Sequence, residues 1–331
     1  MKAFVTGSTG LLGNNLVRLL HQQGHQVKAL VRSKDKALIA LGDVDVTWVV
    51  GDMRRVSDFA EQMEGCDVLF HTAAYFREYY QPGDHWQTLM EINVRGTIRL
   101  LEAAERRGVS KVIYVSSSGV IGQPSSGAPG NESTPAGPEA MRNLYFKSKV
   151  LAEQAVGEFS RGHALPVVQI LPGWMFGPGD QAPTASGQLV MDFLARKLPA
   201  IPEGGACVVD ARDVARAMID AVERGQQGER YIVGGRYCSI ETIAKFLETI
   251  TGIASPKMRI PYVLSLGYAW LAENYARLTN GTTLMTVEGL MTLQAQTRVA
   301  SERAVRELGA TFRPLEDTLR DEVDWYRGQN R

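Results

Sequence analysis

Residues 1–20 constrain this chain more than any other stretch. Lys2 to Thr6 is a short apolar run rich in strand formers, Gly7, Gly10 and Gly13 follow at three-residue spacing, and Leu11, Leu12, Leu16, Leu19 and Leu20 then repeat with helical period. A strand, a glycine turn and a helix in that order form an entry for a dinucleotide. Gly7 allows a turn where a Cβ would clash, Gly10 allows backbone to approach a pyrophosphate, and Gly13 lets the helix lie close on its strand. The helix N-terminus, including Thr9, Leu11 and Leu12, then offers free N–H groups and a partial positive charge to phosphate. Three glycines at this spacing are weak evidence by themselves in a chain with 33 of them. Their place between a strand pattern and a helix pattern carries the reading.

Further strand and helix patterns alternate behind this entry. Gln26 to Val31, Val44 to Val50, Val68 to His71, Lys111 to Ser116 and Pro166 to Leu171 read as strands, with helices expected over 56–63 and 91–106 and from about Glu139. Repeated strand–helix units imply an α/β fold: a Rossmann-type, doubly wound parallel sheet whose site lies at the carboxyl edge of the strands. Residues 1–171 would form the nucleotide-binding domain. Residues 172–331, where helices and short strands alternate irregularly, would mainly form a smaller mixed α/β substrate lobe, with some segments returning to the sheet.

Several strand ends carry chemistry. The second strand ends in Arg32-Ser33-Lys34, where an NAD site usually places an acid for the ribose hydroxyls. A guanidinium there suits the 2′-phosphate of NADP instead, while Asp35 keeps NAD open. Asp52, beside Met53, could accept from an adenine amino group or cap the helix that follows. Thr72, Ala73 and Ala74 are small enough for a flat ligand to pass close. The rings of Tyr75, Phe76, Tyr79, Tyr80 and Trp86 form either a packed cap or a flap over the substrate. Asn93 could hold a water or a main-chain carbonyl. Ser116, Ser117 and Ser118 end the fifth strand, and residues 122–138, dense in Gly, Pro and Ser, read as a mobile loop. Beyond it Tyr145 and Lys149, four apart, share one helix face.

Composition narrows the partners. Lys plus Arg and Asp plus Glu number 36 each, so net charge gives no reason to expect nucleic acid or an acidic membrane. Cys66, Cys207 and Cys238 are far apart, which suggests neither a metal site nor a disulfide framework and fits a reducing cytosol. The chain enters its first strand at once, leaving no room for a signal peptide, and the apolar run Val263 to Ala272 is too short to span a bilayer. A cytoplasmic protein is expected.

The glycine turn, His71-Thr72-Ala73-Ala74, Asn93-Val94-Arg95-Gly96-Thr97, the serine triplet and Tyr145 with Lys149 together resemble the extended short-chain dehydrogenase/reductase superfamily. Within it, the sugar-nucleotide epimerases and the dihydroflavonol-reductase-like enzymes are the groups resembled. The resemblance implies that Ser118 polarises a carbonyl, Tyr145 transfers the proton, Lys149 lowers the phenol's pKa and bonds the nicotinamide ribose, and Asn93 supports them. A free phenol, with a pKa of about 10, exchanges protons poorly at neutral pH, and a neighbouring ammonium corrects this. By the same resemblance Pro172, Gly173, Trp174 and Met175 hold the carboxamide and open the substrate pocket, and the segment around Asp213 caps a helix and ties it to the core. Many relatives pair through the Tyr/Lys and Asn93 helices, which makes a homodimer the expectation.

Three functions remain open at this level. They are an NADP(H)-dependent reductase of a ketone or aldehyde, an NDP-sugar epimerase with tightly held NAD, and a non-enzymatic NADP sensor. Intact Ser118, Tyr145 and Lys149 argue against the sensor. Arg32 favours reduction. Gly119 and Val120 stand where related dehydratases carry an acidic pair. The epimerase would need cations for a diphosphate, for which Arg196, Lys197 and Arg212 are available.

Overall fold

The computed structural model describes residues 1–76, 83–279 and 286–329. Tyr79 and Tyr80 lie outside the described residues. In chain order the first half comprises β1 (Lys2–Thr6), α1 (Leu11–Gln22), β2 (Gln26–Val31), α2 (Lys34–Leu41), β3 (Thr47–Val50), β4 (Val68–His71), α3 (Trp86–Leu89), α4 (Thr97–Arg106), β5 (Lys111–Val115), α5 (Pro138–Arg142) and α6 (Leu144–Gly162). The second half comprises β6 (Val167–Pro172), β7 (Trp174–Phe176), α7 (Ala185–Leu194), β8 (Ile201–Pro202), β9 (Gly205–Asp210), α8 (Ala211–Arg224), β10 (Arg230–Val233), β11 (Arg236–Ser239), α9 (Ile240–Thr251), β12 (Arg259–Ile260), α10 (Tyr262–Thr279), α11 (Val287–Gln294) and α12 (Leu315–Gln329).

Seven strands form one parallel sheet in the order β10-β6-β5-β4-β1-β2-β3. Both faces are covered, as near-continuous apolar strands such as Val167–Leu171 require. On one face Leu16 and Leu20 of α1 pack with Val214 and Met218 of α8, and on the other Leu100 and Leu101 of α4 pack with Ala152 and Val156 of α6. Thus α8 and β10, which follow α6 in sequence, complete the core around the seven-stranded sheet. Of the remaining strands, β7, β9 and β11 form a small mixed sheet packed with α7, α9 and α12 around Phe176, Phe193, Ile243 and Leu319, and β8 and β12 form a parallel pair.

Several elements differ from expectation for identifiable reasons. The third strand begins at Thr47 rather than Val44, because residue 44 closes a turn onto Leu41 and buries its side chain beneath it. The helix expected over 56–63 is two 3₁₀ segments, Met53–Asp58 and Ala60–Met63. They are separated by Phe59, whose buried ring stacks on Phe4 with centroids 6.1 Å apart. The helix expected from Glu91 starts at Trp86 and passes through a widened π segment, Met90–Gly96, before α4. Asp210, not Asp213, caps α8 by accepting from Arg212 N–H at 2.7 Å, while Asp213 accepts from Arg313 N–H at 2.7 Å and ties down the C-terminal segment. The 122–138 loop is anchored near its middle: Gly130 bridges to Val299, and Glu132 accepts from Ile232 N–H at 2.9 Å.

The apolar run 263–272 lies within α10, where Val263, Leu264, Trp270 and Leu271 are exposed. Among the described residues no helix is long and apolar enough to cross a membrane.

Candidate active site

Each of the three glycines at the start of the chain meets a different constraint. Gly7 has φ +68°, and a Cβ there would lie 2.7 Å from Ala73 N; a Cβ on Gly13 would lie 2.1 Å from Gly7 O. Both positions are closed to side chains by the protein's own backbone. Gly10 is not: its nearest atom would be 3.4 Å away, an ordinary contact. Gly10 is also the N-cap of α1 and supplies no side-chain acceptor, so the first N–H groups of that helix face the cavity without a capping partner. Together these features fit a pyrophosphate.

That cavity, of about 930 Å³, runs along the carboxyl edge of the sheet and gathers most of the residues singled out above, while Asn93 and Trp86 do not line it. Gly7, Thr9, Gly10, Leu11, Leu12, Gly13, Arg32, Asp52, Met53, Thr72, Ala73 and Ala74 line one end, and Ser116, Ser118, Tyr145, Lys149, Pro172, Gly173, Trp174 and Met175 the middle, with Tyr75 and Phe76. Two cations not singled out in the sequence, Lys36 and Arg54, join Arg32 at the adenosine end. Asp52 is engaged there: it accepts from Arg54 N–H at 2.8 Å, caps the 3₁₀ segment and pairs with the Arg54 guanidinium, which holds its carboxyl below the usual range.

At the catalytic end α6 begins at Asn143, whose side chain caps it by accepting from Phe146 N–H at 3.0 Å. This presents Tyr145 at the first turn, 8% exposed, with its ring 4.7 Å from that of Phe76. One turn on, Lys149 is buried and its Nζ donates to the Val115 carbonyl at 2.9 Å. Burial pulls the Lys149 ammonium down to about 8, against the pull of the nearby Glu153 carboxylate, which favours the charged form.

Asn93 sits in the π segment, with Thr97 Oγ1 donating to its carbonyl at 2.8 Å. Its side chain grips the backbone of Tyr75 from both sides, accepting from N–H at 2.8 Å and donating to C=O at 3.2 Å, and donates to Ser148 Oγ at 3.0 Å. Ser148 in turn donates to the Tyr145 carbonyl at 2.7 Å, so Asn93 couples the aromatic loop to the catalytic helix. His71, fully buried between Thr6 and Thr97, is pushed by burial down to about 3 and stays neutral.

The far end of the cavity is lined by Leu189, Phe193, Ile243, Leu247, Leu290 and Leu293, among others. Among the described lining residues beyond Lys149 there is no Lys, Arg or His. The cations available in the sequence for a diphosphate are elsewhere: Arg196 and Lys197 do not line the cavity, and Arg212 is paired with Asp210 at 2.6 Å and Asp321 at 2.6 Å. Sequence does not single out Leu189, Phe193, Ile243, Leu247, Leu290 and Leu293, because their apolar helical pattern is what any core helix shows.

Known proteins agree with this architecture. The NAD dependent epimerase/dehydratase family matches residues 3–234. A protein of Synechocystis sp. named after dihydroflavonol 4-reductase is 34% identical over 329 residues, covering 98% of this chain and 94% of that protein. Sterol demethylase protein B of Methylococcus capsulatus is 34% identical over 330 residues, covering 99% and 98%. The crystal structure of gox2253 superposes with a TM-score of 0.84 at 32% identity, covering 99% of this chain and 98% of that one. The chain therefore belongs to the NAD dependent epimerase/dehydratase family and is an NAD(P)-dependent oxidoreductase or epimerase of the extended short-chain type.

Proposed function

We propose that the protein is an NADPH-dependent reductase of a ketone or aldehyde borne on an apolar organic molecule. The observation that carries this reading is the mainly apolar chamber beyond Lys149, which has no Lys, Arg or His among its described lining residues. A nucleoside-diphosphate sugar needs charge-assisted donors for two phosphates, whereas an apolar substrate gains from the aliphatic lining itself. The relatives named for dihydroflavonol and sterol chemistry favour the same substrate class.

When bound, the nicotinamide supplies hydride to the carbonyl carbon. The residues manage the charge that develops on oxygen: Ser118 donates a hydrogen bond to it and Tyr145 gives the proton from its phenol. Lys149, as ammonium, stabilises the phenolate left behind and bonds the ribose. Asn93 holds Tyr75 and, through Ser148, the start of α6, so it positions the proton donor without touching substrate. Trp174, Met175 and Phe76 shape the entrance to the apolar chamber, and Pro172 and Gly173 offer backbone to the carboxamide.

The direct test is NADPH oxidation against a panel of apolar ketones and aldehydes, run beside interconversion of UDP-glucose and UDP-galactose. Turnover of apolar ketones with no sugar interconversion is expected. Sugar interconversion by protein purified with one equivalent of NAD would replace this reading with the epimerase.

Cofactor choice has its own test. Arg32, with Lys36 and Arg54 beside it, suits the 2′-phosphate of NADP. Loss of one charge-assisted contact costs about 1.5–3 kcal/mol, so Arg32→Ala should raise KM for NADPH by roughly 10- to 100-fold and leave KM for NADH nearly unchanged. An equal effect on both cofactors would remove the assignment.

A further inference from the structure

The turn spacing that pairs Tyr145 with Lys149 continues to Glu153, one turn deeper on the same face of α6. Glu153 is 9% exposed and pairs at 3.1 Å with Arg230 of β10, itself largely buried. Parallel register sets Tyr114 of β5 beside Gln169 of β6, and Gln169 beside Arg230, so three polar side chains line up across three strands beneath α6. Tyr114 also places its ring 5.2 Å from Lys149 Nζ.

Several of these groups make no hydrogen bond among the described residues: Tyr114 Oη, Glu153 Oε1, Gln169 Oε1, and Arg230 Nε and Nη2. An apolar set of similar volume would pack here at lower cost, since a buried ion pair must offset the desolvation of both partners. The polar cluster adjoins one cation whose protonation matters, Lys149.

We propose that Glu153, paired with Arg230, is a positioning residue that sets the charge on Lys149 and with it the pH range over which Tyr145 can donate its proton. The effect on turnover rests on the roles proposed above for Tyr145 and Lys149, whereas the charge on Lys149 does not. Burial pushes the Glu153 carboxyl up, and Arg230, Ser116 and Lys149 oppose that push. The groups facing Lys149 and Glu153 are His71 from β4, Tyr114 from β5, Ser116 just beyond it, Gln169 from β6, Arg230 from β10 and Tyr145 on α6 itself. His71 is neutral above about pH 3, and burial with the Glu153 charge drives the Tyr114 phenol well above its ordinary range. Glu153 and Arg230 are therefore the members of this set that form an ion pair beside Lys149. Removing the carboxylate lets Lys149 lose its proton at lower pH.

The test uses full-length protein with lysine side chains labelled at ¹³Cε, the Lys149 resonance being assigned by its absence in Lys149→Met. The wild-type midpoint is expected near 8. In Glu153→Gln it should fall by at least about half a pH unit, while Glu153→Asp, which keeps the charge, should stay within about 0.2 unit. The alkaline limb of the reductase rate should move with the resonance, which a packing role alone would not produce. If Glu153→Gln does not fold, the double variant Glu153→Gln/Arg230→Met removes both charges together and should retain a lowered midpoint. An unmoved Lys149 midpoint in the folded variant, or an equal shift in Glu153→Asp, overturns the proposal. A moved midpoint in a protein that reduces no carbonyl in the panel supports it and overturns the proposed function instead.

Discussion

Tyr145→Phe should lower kcat by about 10²–10⁴-fold, the range a positioned proton donor supplies, with NADPH affinity within about twofold of wild type. The change removes one oxygen from a ring held on its apolar sides by Phe76 and Phe146, so the fold has little to lose. Rapid kinetics with NADPH and an apolar ketone would separate the two effects. Turnover at the wild-type level would remove Tyr145 from the chemistry. In the wild-type enzyme the reduction rate should hold below about pH 8 and decline above it, as Lys149 gives up its proton. The sign follows from the charge that stabilises the phenolate, which is present only while Lys149 is an ammonium.

Gly13→Ala should be the most damaging single methyl in the cofactor half. The added Cβ would lie 2.1 Å from Gly7 O and 2.9 Å from Ser8 Cα, backbone atoms that can move only if the turn moves with them. Overpacking of this kind costs about 1–3 kcal/mol, which for a chain of this size corresponds to a fall in Tm of roughly 1.5–4 °C. Displacing the turn also displaces the α1 N-terminus, and NADPH affinity should fall by at least about 100-fold, or nearly 3 kcal/mol. Gly10→Ala provides the control. Nothing in the protein opposes a methyl there, so Tm should stay within about 1 °C while NADPH binding weakens, because only a ligand approaches that position closely. Thermal melts with and without NADPH check both. Equal behaviour of the two variants would contradict the distinction between a glycine required by the fold and one required by the ligand.

The features legible in the sequence were those with a local cause. Strand, glycine turn and helix over residues 1–20 follow from period and punctuation, and β1, α1, β2 and β4 lie where those signals put them. Other features depend on which partner the fold supplies. Asp213 has the sequence neighbourhood of a cap, but Asp210 takes that role and Asp213 is left to bind a segment 100 residues later. Asp52 has the place of an adenine acceptor or of a cap, and it caps the 3₁₀ segment, held by Arg54 two residues on. The apolar chamber could not be seen, since Ile243, Leu247, Leu290 and Leu293 obey the same periodicity whether they face a core or a cavity. Glu153 did carry a signal, the second four-residue step after Tyr145. Its meaning depends on Arg230, which only the pairing of β10 with β6 brings near.

The late return of β10 to the sheet has a consequence during synthesis. When residue 171 has left the ribosome, all of the chain through β6 except its last residue is present, but the strand that covers the β6 edge ends only at Val233. At ordinary elongation rates about 60 further residues take roughly 3–12 s. Throughout that interval the nascent protein carries an open, mostly apolar edge and a Glu153 without its counter-charge. Shielding of that edge by a chaperone would have its largest effect within this window, after the glycine turn and Tyr145 have emerged and before the sheet is closed.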